Sequence, residues 1–333
     1  MHTFEFSRPA DLTTAIAGAS QAKTAQQGAD VRFIAGGTTL IDLMKLNVET
    51  PNRLLDVNRL PLDRIEATSD GGLKIGATVR NSDLAHHPVV QRDYSVLSQA
   101  ILSGASAQLR NMATTAGNLL QRTRCVYFRD TAMPCNKREP GTGCPAITGS
   151  NRMLAILGTS EHCIATNPSD MCVAMAALEA TIHVQGQKGP RAIPIGDFHL
   201  LPGNTPNRET VLEPGDLITH VTLPRPIAGS KQVYLKLRDR ASYEFALASA
   251  AIVMTIAGGK VKFARVALGG VGTKPWRSPE AEAALMGKPA DTANLRKAAE
   301  AAMRGAKPQS ENKFKIELAK RCLTHALKMA SMS

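Results

Sequence analysis

The sequence has few aromatic side chains, no long apolar run and no basic tail. Aromatic residues make up 4% of the 333 residues, and neither an RNA-binding aromatic signature nor a zinc-finger spacing occurs. No apolar run approaches the ~20 residues that a membrane-spanning helix needs. The first residues, MHTFEFSRPADL, lack a basic segment followed by an apolar one. We therefore expect no nucleic-acid binding, no membrane span and no signal peptide. The expected compartment is the cytoplasm, or the periplasm if a partner carries the export signal.

Motifs for catalysis by side chains are also missing. The chain contains no H-E-x-x-H, no G-x-G-x-x-G, no Walker A loop and no Ser-His-Asp order with a supporting motif. Its eight histidines are scattered. A net charge of +12, spread along the chain, fits a solvated basic surface, an anionic cofactor or acidic partners. The pattern is typical of a protein whose chemistry resides in a cofactor.

The alternation of strand and helix patterns predicts three α+β parts. They cover residues 1–57, 58–226 and 227–333, with no internal repeat and no low-complexity linker between them. The first part opens as strand, helix, strand, with strands at 3–6 and 31–35. The second part contains a helix pattern that Asn81 or Ser82 would cap, a helix over 93–103 and a strand over 191–198. The third part contains strand patterns around a predicted hairpin turn at 257–260, followed by helices at 291–304 and 310–331.

Three short segments are candidates for binding an anionic ligand. The strand VRFIA runs directly into Gly36-Gly37-Thr38-Thr39, where glycines let backbone N–H groups approach an anion and the threonines add hydroxyls. A second segment is Thr114-Thr115-Ala116-Gly117-Asn118, and a third is Asn167-Pro168-Ser169-Asp170. The simpler interpretation of the third is a helix cap, supplied by Ser169 or Asp170. Each segment alone is a weak signal.

Five of the six cysteines fall between Cys125 and Cys172. The first four are spaced C-x9-C-x8-C-x18-C, in a stretch rich in Pro, Gly and Arg. This spacing matches neither a zinc ribbon nor a ferredoxin. Zinc, disulfides and a [4Fe–4S] cluster therefore all stay open on spacing alone. Cys172 lies in an apolar helix pattern and Cys322 on the apolar face of the last helix, so both are predicted to be core residues.

Several segments, in this order, resemble the FAD-binding subunits of molybdenum hydroxylases, a family that includes xanthine dehydrogenase, carbon monoxide dehydrogenase and aldehyde oxidoreductases. These segments are FIAGGTTL, IGATVRNSDL, QLRNMATTAGN, NPSDM and KLRDRASYEFALAS. The segments AGNLLQRTRC, PCNKR and CIAT resemble the bacterial periplasmic aldehyde oxidoreductase branch. The resemblance spans nearly the whole chain. It implies a two-part FAD domain of the vanillyl-alcohol-oxidase type, followed by an α+β C-terminal domain of the carbon monoxide dehydrogenase flavoprotein type.

The resemblance also implies cofactor contacts. Five consecutive residues would wrap the FAD pyrophosphate, with Leu40 beside them: Ala35, Gly36, Gly37, Thr38 and Thr39. A second flavin-contacting loop would contain Thr114, Gly117 and Asn118. Asp170 would bond on the ribityl or adenosine side, and Lys236 would lie near the flavin ring. Many relatives have glycine where this chain has Ala116, which puts the detailed geometry of that loop in question.

By the same resemblance, residues 119–166 are an insertion that carries a [4Fe–4S] cluster. Its ligands would be Cys125, Cys135, Cys144 and Cys163. The implied partners are a large subunit with the molybdenum cofactor and a small [2Fe–2S] subunit. Electrons from aldehyde oxidation would pass through these partners to FAD on this chain. The alternatives are a subunit of a hydroxybenzoyl-CoA-reductase-like enzyme, with electron flow reversed, and a zinc-stabilised binding module.

Overall fold

The computed structural model describes residues 1–332. The described strands are β1 Glu5–Ser7, β2 Val31–Ile34, β3 Arg53–Asp56, β4 Ile65–Ala67, β5 Leu73–Gly76, β6 Thr181–Gly186, β7 Gly189–Pro194, β8 Leu217–Leu223, β9 Lys231–Leu237, β10 Ala248–Ala257, β11 Lys260–Gly269 and β12 Trp276–Arg277. The described α-helices are α1 Leu12–Ala19, α2 Leu40–Lys45, α3 Asn81–His86, α4 Pro88–Asp93, α5 Ser95–Ser103, α6 Ala107–Met112, α7 Thr115–Leu119, α8 Val126–Arg129, α9 Asp170–Ala177, α10 Ile195–Phe198, α11 Pro279–Leu285, α12 Thr292–Ala302 and α13 Phe314–Met332. None of the described helices is long and apolar enough to cross a membrane.

The strands form three sheets that follow each other along the chain. The first is parallel, with the order β1-β3-β2, and the second is antiparallel, with the order β4-β5-β8-β6-β7. The third is antiparallel, with the order β12-β11-β10-β9. Each sheet lies within one of the three predicted parts, and the exact boundaries stay a prediction. The mixed α+β fold is confirmed.

The C-terminal sheet lies between two layers of helices. Helices α11, α12 and α13 pack with one another, and α13 contacts β9 and β10. Helices α5 and α9, from the preceding part of the chain, contact β9, β10 and β11. The predicted hairpin turn is confirmed, because β10 and β11 are antiparallel neighbours. Gly258 and Gly259 connect them, with φ values of 58° and 73°. Glycine reaches this left-handed region without the steric cost that a Cβ would add. The contact of α5 and α9 with the C-terminal sheet forms the boundary between the two domains, and α9 lies at this boundary.

Some local predictions are wrong in detail. The N-cap of helix α3 is Arg80 and neither Asn81 nor Ser82. The Arg80 side chain makes no cap hydrogen bond. A predicted helix over 93–103 is interrupted at Tyr94, whose φ of −131° and ψ of 43° are not helical. The strand predicted over 191–198 ends at Pro194, where the short helix α10 begins. Caps and breaks depend on single backbone angles, which the hydrophobic pattern does not encode.

Candidate functional site

The glycine loop lies between β2 and α2 and is tightly packed. A Cβ on Gly36 would come within 2.0 Å of the Met112 carbonyl oxygen, so only glycine fits there without movement. Gly37 has a φ of 71°, which also favours glycine. Among the described residues, no acceptor takes a hydrogen bond from the backbone N–H groups of Gly36 to Thr39. These N–H groups precede the first turn of α2 and can bind an anion.

Two polar side chains hold this loop against its neighbours. Asn58 donates from Nδ2 to the Ala35 carbonyl at 3.0 Å. Arg80 donates from Nη2 to Asn58 Oδ1 at 3.1 Å and from Nη1 to the Met112 carbonyl. The glycine loop and the end of α6 are therefore fixed relative to each other by named hydrogen bonds as well as by packing.

The second predicted loop lies beside the first. Thr114 caps α7 by accepting from the Gly117 N–H at 3.2 Å, and the Thr115 N–H donates to the Val79 carbonyl at 2.9 Å. Asn118 Oδ1 accepts from Ser169 Oγ at 2.7 Å, which links this loop to the third predicted segment. Ser169 is the N-cap of α9, as the simpler interpretation of that segment predicts.

A long cleft brings most of the predicted residues together. Its lining includes Ala35, Gly36, Gly37, Thr38, Thr39, Leu40, Thr114 and Gly117. Asn118 is not part of this lining and lies behind it, bonded to Ser169. The cleft is also lined by other charged or titratable residues: Arg32, Glu49, Arg122, Lys137, His199 and Glu209.

A second cavity, here called the interdomain cavity, lies next to the long cleft. The two share Thr123, Thr166, Asn167 and Pro168 as walls. The interdomain cavity also contacts Asp170 of α9 and the turn at Gly270 after β11. The two cavities are therefore neighbours, and together they line the region from the glycine loop to the boundary with the C-terminal domain.

Asp170 is fixed at this boundary by residues of β9. It is 9% exposed, and its carboxylate accepts from Lys236 Nζ at 2.8 Å and from the Tyr234 hydroxyl at 2.6 Å. Lys236 also donates to the Ser103 carbonyl at 3.1 Å. Burial, together with the Asp170 charge, raises the pKa of Tyr234 well above its usual value. Lys236 lines neither cavity; its contact with a ligand would be through Asp170.

A buried ion network closes one side of the long cleft. Glu49, 1% exposed, accepts from Arg32 and Arg122, and Arg122 also donates to Glu209. Lys137 Nζ donates to Glu209 at 3.0 Å. Burial opposes ionisation of Glu209, but the charges of Arg122 and Lys137 outweigh it and lower its pKa to about 2. Glu209 is therefore ionised at neutral pH.

The four predicted cysteine ligands line one small cavity, here called the four-cysteine cavity. Cys125, Cys135 and Cys163 are buried and Cys144 is partly buried, and none forms a disulfide. Among residues 1–332, no group of three or more His, Cys, Asp or Glu side chains has the arrangement needed to hold a metal ion. The disulfide alternative is thus not realised, and the cysteines face a common space without converging on one point.

These thiols are largely shielded from water. Burial raises the pKa of Cys125 to about 12 and that of Cys144 to about 11. The Ala165 N–H donates to Cys163 Sγ at 3.5 Å. Because thiolates are the ligand form, any metal that binds here must displace the thiol protons. The predictions for the other two cysteines are confirmed, because Cys172 and Cys322 are 0% and 1% exposed in the core.

The fold and the cleft together define a flavoprotein of the two-domain, dinucleotide-binding class. A family profile described as "FAD binding domain in molybdopterin dehydrogenase" matches residues 2–226. A second, "CO dehydrogenase flavoprotein C-terminal domain", matches residues 233–330. The chain belongs to the family of FAD-binding subunits of molybdenum hydroxylases.

The chain is similar to named members of this family. It is 54% identical over 310 residues to the "Aldehyde oxidoreductase FAD-binding subunit PaoB" of Escherichia coli (strain K12), which covers 93% of this chain and 94% of that protein. It is 29% identical over 259 residues to the "Glyceraldehyde dehydrogenase medium chain" of Sulfolobus acidocaldarius, covering 78% and 74%. The solved "Reconstituted CO dehydrogenase from Oligotropha carboxidovorans" has a chain with a TM-score of 0.78 and 25% identity, covering 99% and 98%. The chain is thus related to oxidoreductase subunits along most of its length.

Proposed function

We propose that this chain is the FAD- and [4Fe–4S]-binding electron-transfer subunit of a heterotrimeric, molybdenum-containing aldehyde oxidoreductase. The partners would be a molybdenum-cofactor subunit and a [2Fe–2S] subunit. The observation that carries the FAD part is the long cleft, in which the glycine loop and the Thr114 loop face the same space. The aldehyde part is supported by the 54% identity to a protein with that activity in its name.

The residues that line the cleft have the chemistry and the spatial arrangement that FAD requires. The free N–H groups of Gly36 to Thr39 would bind the diphosphate, which needs several donors at close approach. Thr114 and Gly117 would contact the ligand from the adjacent loop. Asp170, held by Lys236, would accept from hydroxyls near the interdomain cavity. Bound FAD supplies two-electron chemistry, taking electrons from aldehyde oxidation at the partners and passing them to a terminal acceptor.

The four-cysteine cavity offers thiol donors for a metal centre, and the spacing of these cysteines fits no common zinc motif. In a [4Fe–4S] cluster each iron takes one cysteine, so four sulfurs surround the cluster. Four free thiols around one buried cavity are the donor set that this cluster requires.

Purification of the three-subunit complex tests the cofactor content. We expect one flavin and about four cluster irons per copy of this chain, beyond the irons of the [2Fe–2S] subunit. Replacing Cys135→Ser should remove these irons, whereas Cys172→Ser, which alters a buried thiol outside the cavity, should retain them. Iron retained by the Cys135 variant would show that the ligand set is wrong. Zinc with no flavin would contradict the whole proposal.

Turnover by the same complex tests the reaction. We expect oxidation of aldehydes to carboxylates with an artificial electron acceptor. Failure with aldehydes, together with reduction of an aromatic acyl-CoA by a strong reductant, would instead identify a hydroxybenzoyl-CoA-reductase-like enzyme.

A further inference from the structure

Arg122 has one hydrogen-bonding group that nothing in the fold uses. Its side chain is 8% exposed and lines the long cleft. Nε donates to Glu209, and Nη1 donates to Glu49 and Gln27. Nη2 is buried and has no partner among the described residues. Leaving a buried donor unpaired is costly, so an acceptor is expected in the functional state.

The charges around Arg122 favour an anionic acceptor. Three cations in the buried network, Arg32, Arg122 and Lys137, face two carboxylates, Glu49 and Glu209. One positive charge is therefore left over, and all five residues line the cleft. In a site shielded from water, an uncompensated cation attracts an anion more strongly than it would at the surface.

The position of the guanidinium is fixed by the cysteine-rich insertion. The Phe128 ring lies under Arg122, with 4.5 Å between the guanidinium carbon and the ring centroid. Phe128 is fully buried in the same apolar cluster as Cys125, Cys135 and Cys163. Leu43 and Val48, which follow the glycine loop, belong to this cluster too. The insertion thus supports Arg122 and packs against the helix that begins at the glycine loop.

We propose that Arg122 is an additional FAD-binding residue, whose guanidinium donates to the diphosphate of the dinucleotide. This inference rests on the proposed function of the cleft. The insertion then supplies a wall and a cationic donor of the FAD site in addition to the four thiols. Lys137 and Cys163 extend this connection, because they line both the long cleft and the four-cysteine cavity.

Titration of FAD into the flavin-depleted complex tests the proposal, with protein fluorescence as the readout. We expect Arg122→Met to raise the Kd for FAD by about 10- to 100-fold, since a charge-assisted hydrogen bond is lost. Arg92→Met is the matched control: it removes an exposed arginine that pairs with its neighbour Asp93, and it should leave Kd unchanged. Unchanged Kd in Arg122→Met would overturn the proposal.

Two further measurements separate binding from folding. Arg122→Lys keeps a cation between Glu49 and Glu209 and should fold, yet it lacks the second guanidinium arm, so its Kd should rise at least about 5-fold. Wild-type affinity in this folded variant would also overturn the proposal.

Riboflavin lacks the diphosphate, so its weaker binding should be the same in wild type and Arg122→Lys. An equal loss for both ligands would overturn the proposal, because the effect of Arg122 would then not depend on the diphosphate. A wild-type complex that binds no FAD would instead refute the proposed function itself.

Discussion

Replacing Gly36→Ala should damage the proposed FAD site through one defined contact. The new Cβ would lie 2.0 Å from the Met112 carbonyl oxygen, whereas ordinary contact begins near 3.4 Å. The two loops would therefore have to separate by about 1.4 Å. Overpacking of this kind costs about 1–3 kcal/mol. Such a displacement would also move the N–H groups of the loop beyond hydrogen-bonding distance of a phosphate oxygen.

The expected result is a Kd for FAD raised at least about tenfold, because one lost hydrogen bond to a charged group already has that effect. Thermal unfolding of the flavin-free protein should begin a few degrees lower than in wild type. Gly196→Ala is the matched control, since a Cβ there meets no atom within 4 Å. A Gly36→Ala chain with wild-type affinity and wild-type unfolding temperature would refute the reasoning, since the close approach to Met112 would then be unnecessary.

Two other predictions concern buried ionisable side chains. Burial lowers the pKa of His199 from 6.5 to about 4, so the unfolded chain binds a proton first as pH falls. Stability should decrease by about 3 kcal/mol between pH 6.5 and 4, and His199→Gln should flatten this part of the pH profile in denaturant unfolding. Lys236→Met should destabilise the fold by about 3–5 kcal/mol, since it leaves Asp170 buried without its cation. Lys74→Met, at an exposed pair, should cost under about 1 kcal/mol in the same assay.

The sequence predicts the strands and the glycine loop well because both are local patterns. The run VRFIA is followed by glycines, and β2 ends at Ile34, so that only Ala35 separates the strand from Gly36. The ion network is not local: Arg122 lies 73 residues from Glu49 and 87 from Glu209. No periodicity relates such positions, and an isolated arginine in a loop is ordinarily a solvated surface residue. Only the folded chain reveals that Arg122 is buried and incompletely paired.

The cysteine-rich insertion has little regular structure, yet its backbone is extensively hydrogen-bonded to buried polar side chains. Asn136 Oδ1 accepts from the Gly141 and Gly143 N–H groups at 3.1 and 2.8 Å. Asn151, 1% exposed, donates to the Gly149 carbonyl at 2.9 Å. These bonds replace the ladder that a strand or helix would provide.

The C-terminal domain holds the end of the same segment. Lys315 of α13 is fully buried, and its Nζ donates to the carbonyls of Met153, Leu154 and Gly270 at 3.1, 3.0 and 2.6 Å. A zinc finger, by contrast, unfolds without its metal because few other interactions order its loops. Hydrogen bonds of this kind therefore order the middle of the segment, residues 136–154, independently of any metal ion. The four thiols lie next to the long cleft, because Cys163 lines both that cleft and the four-cysteine cavity.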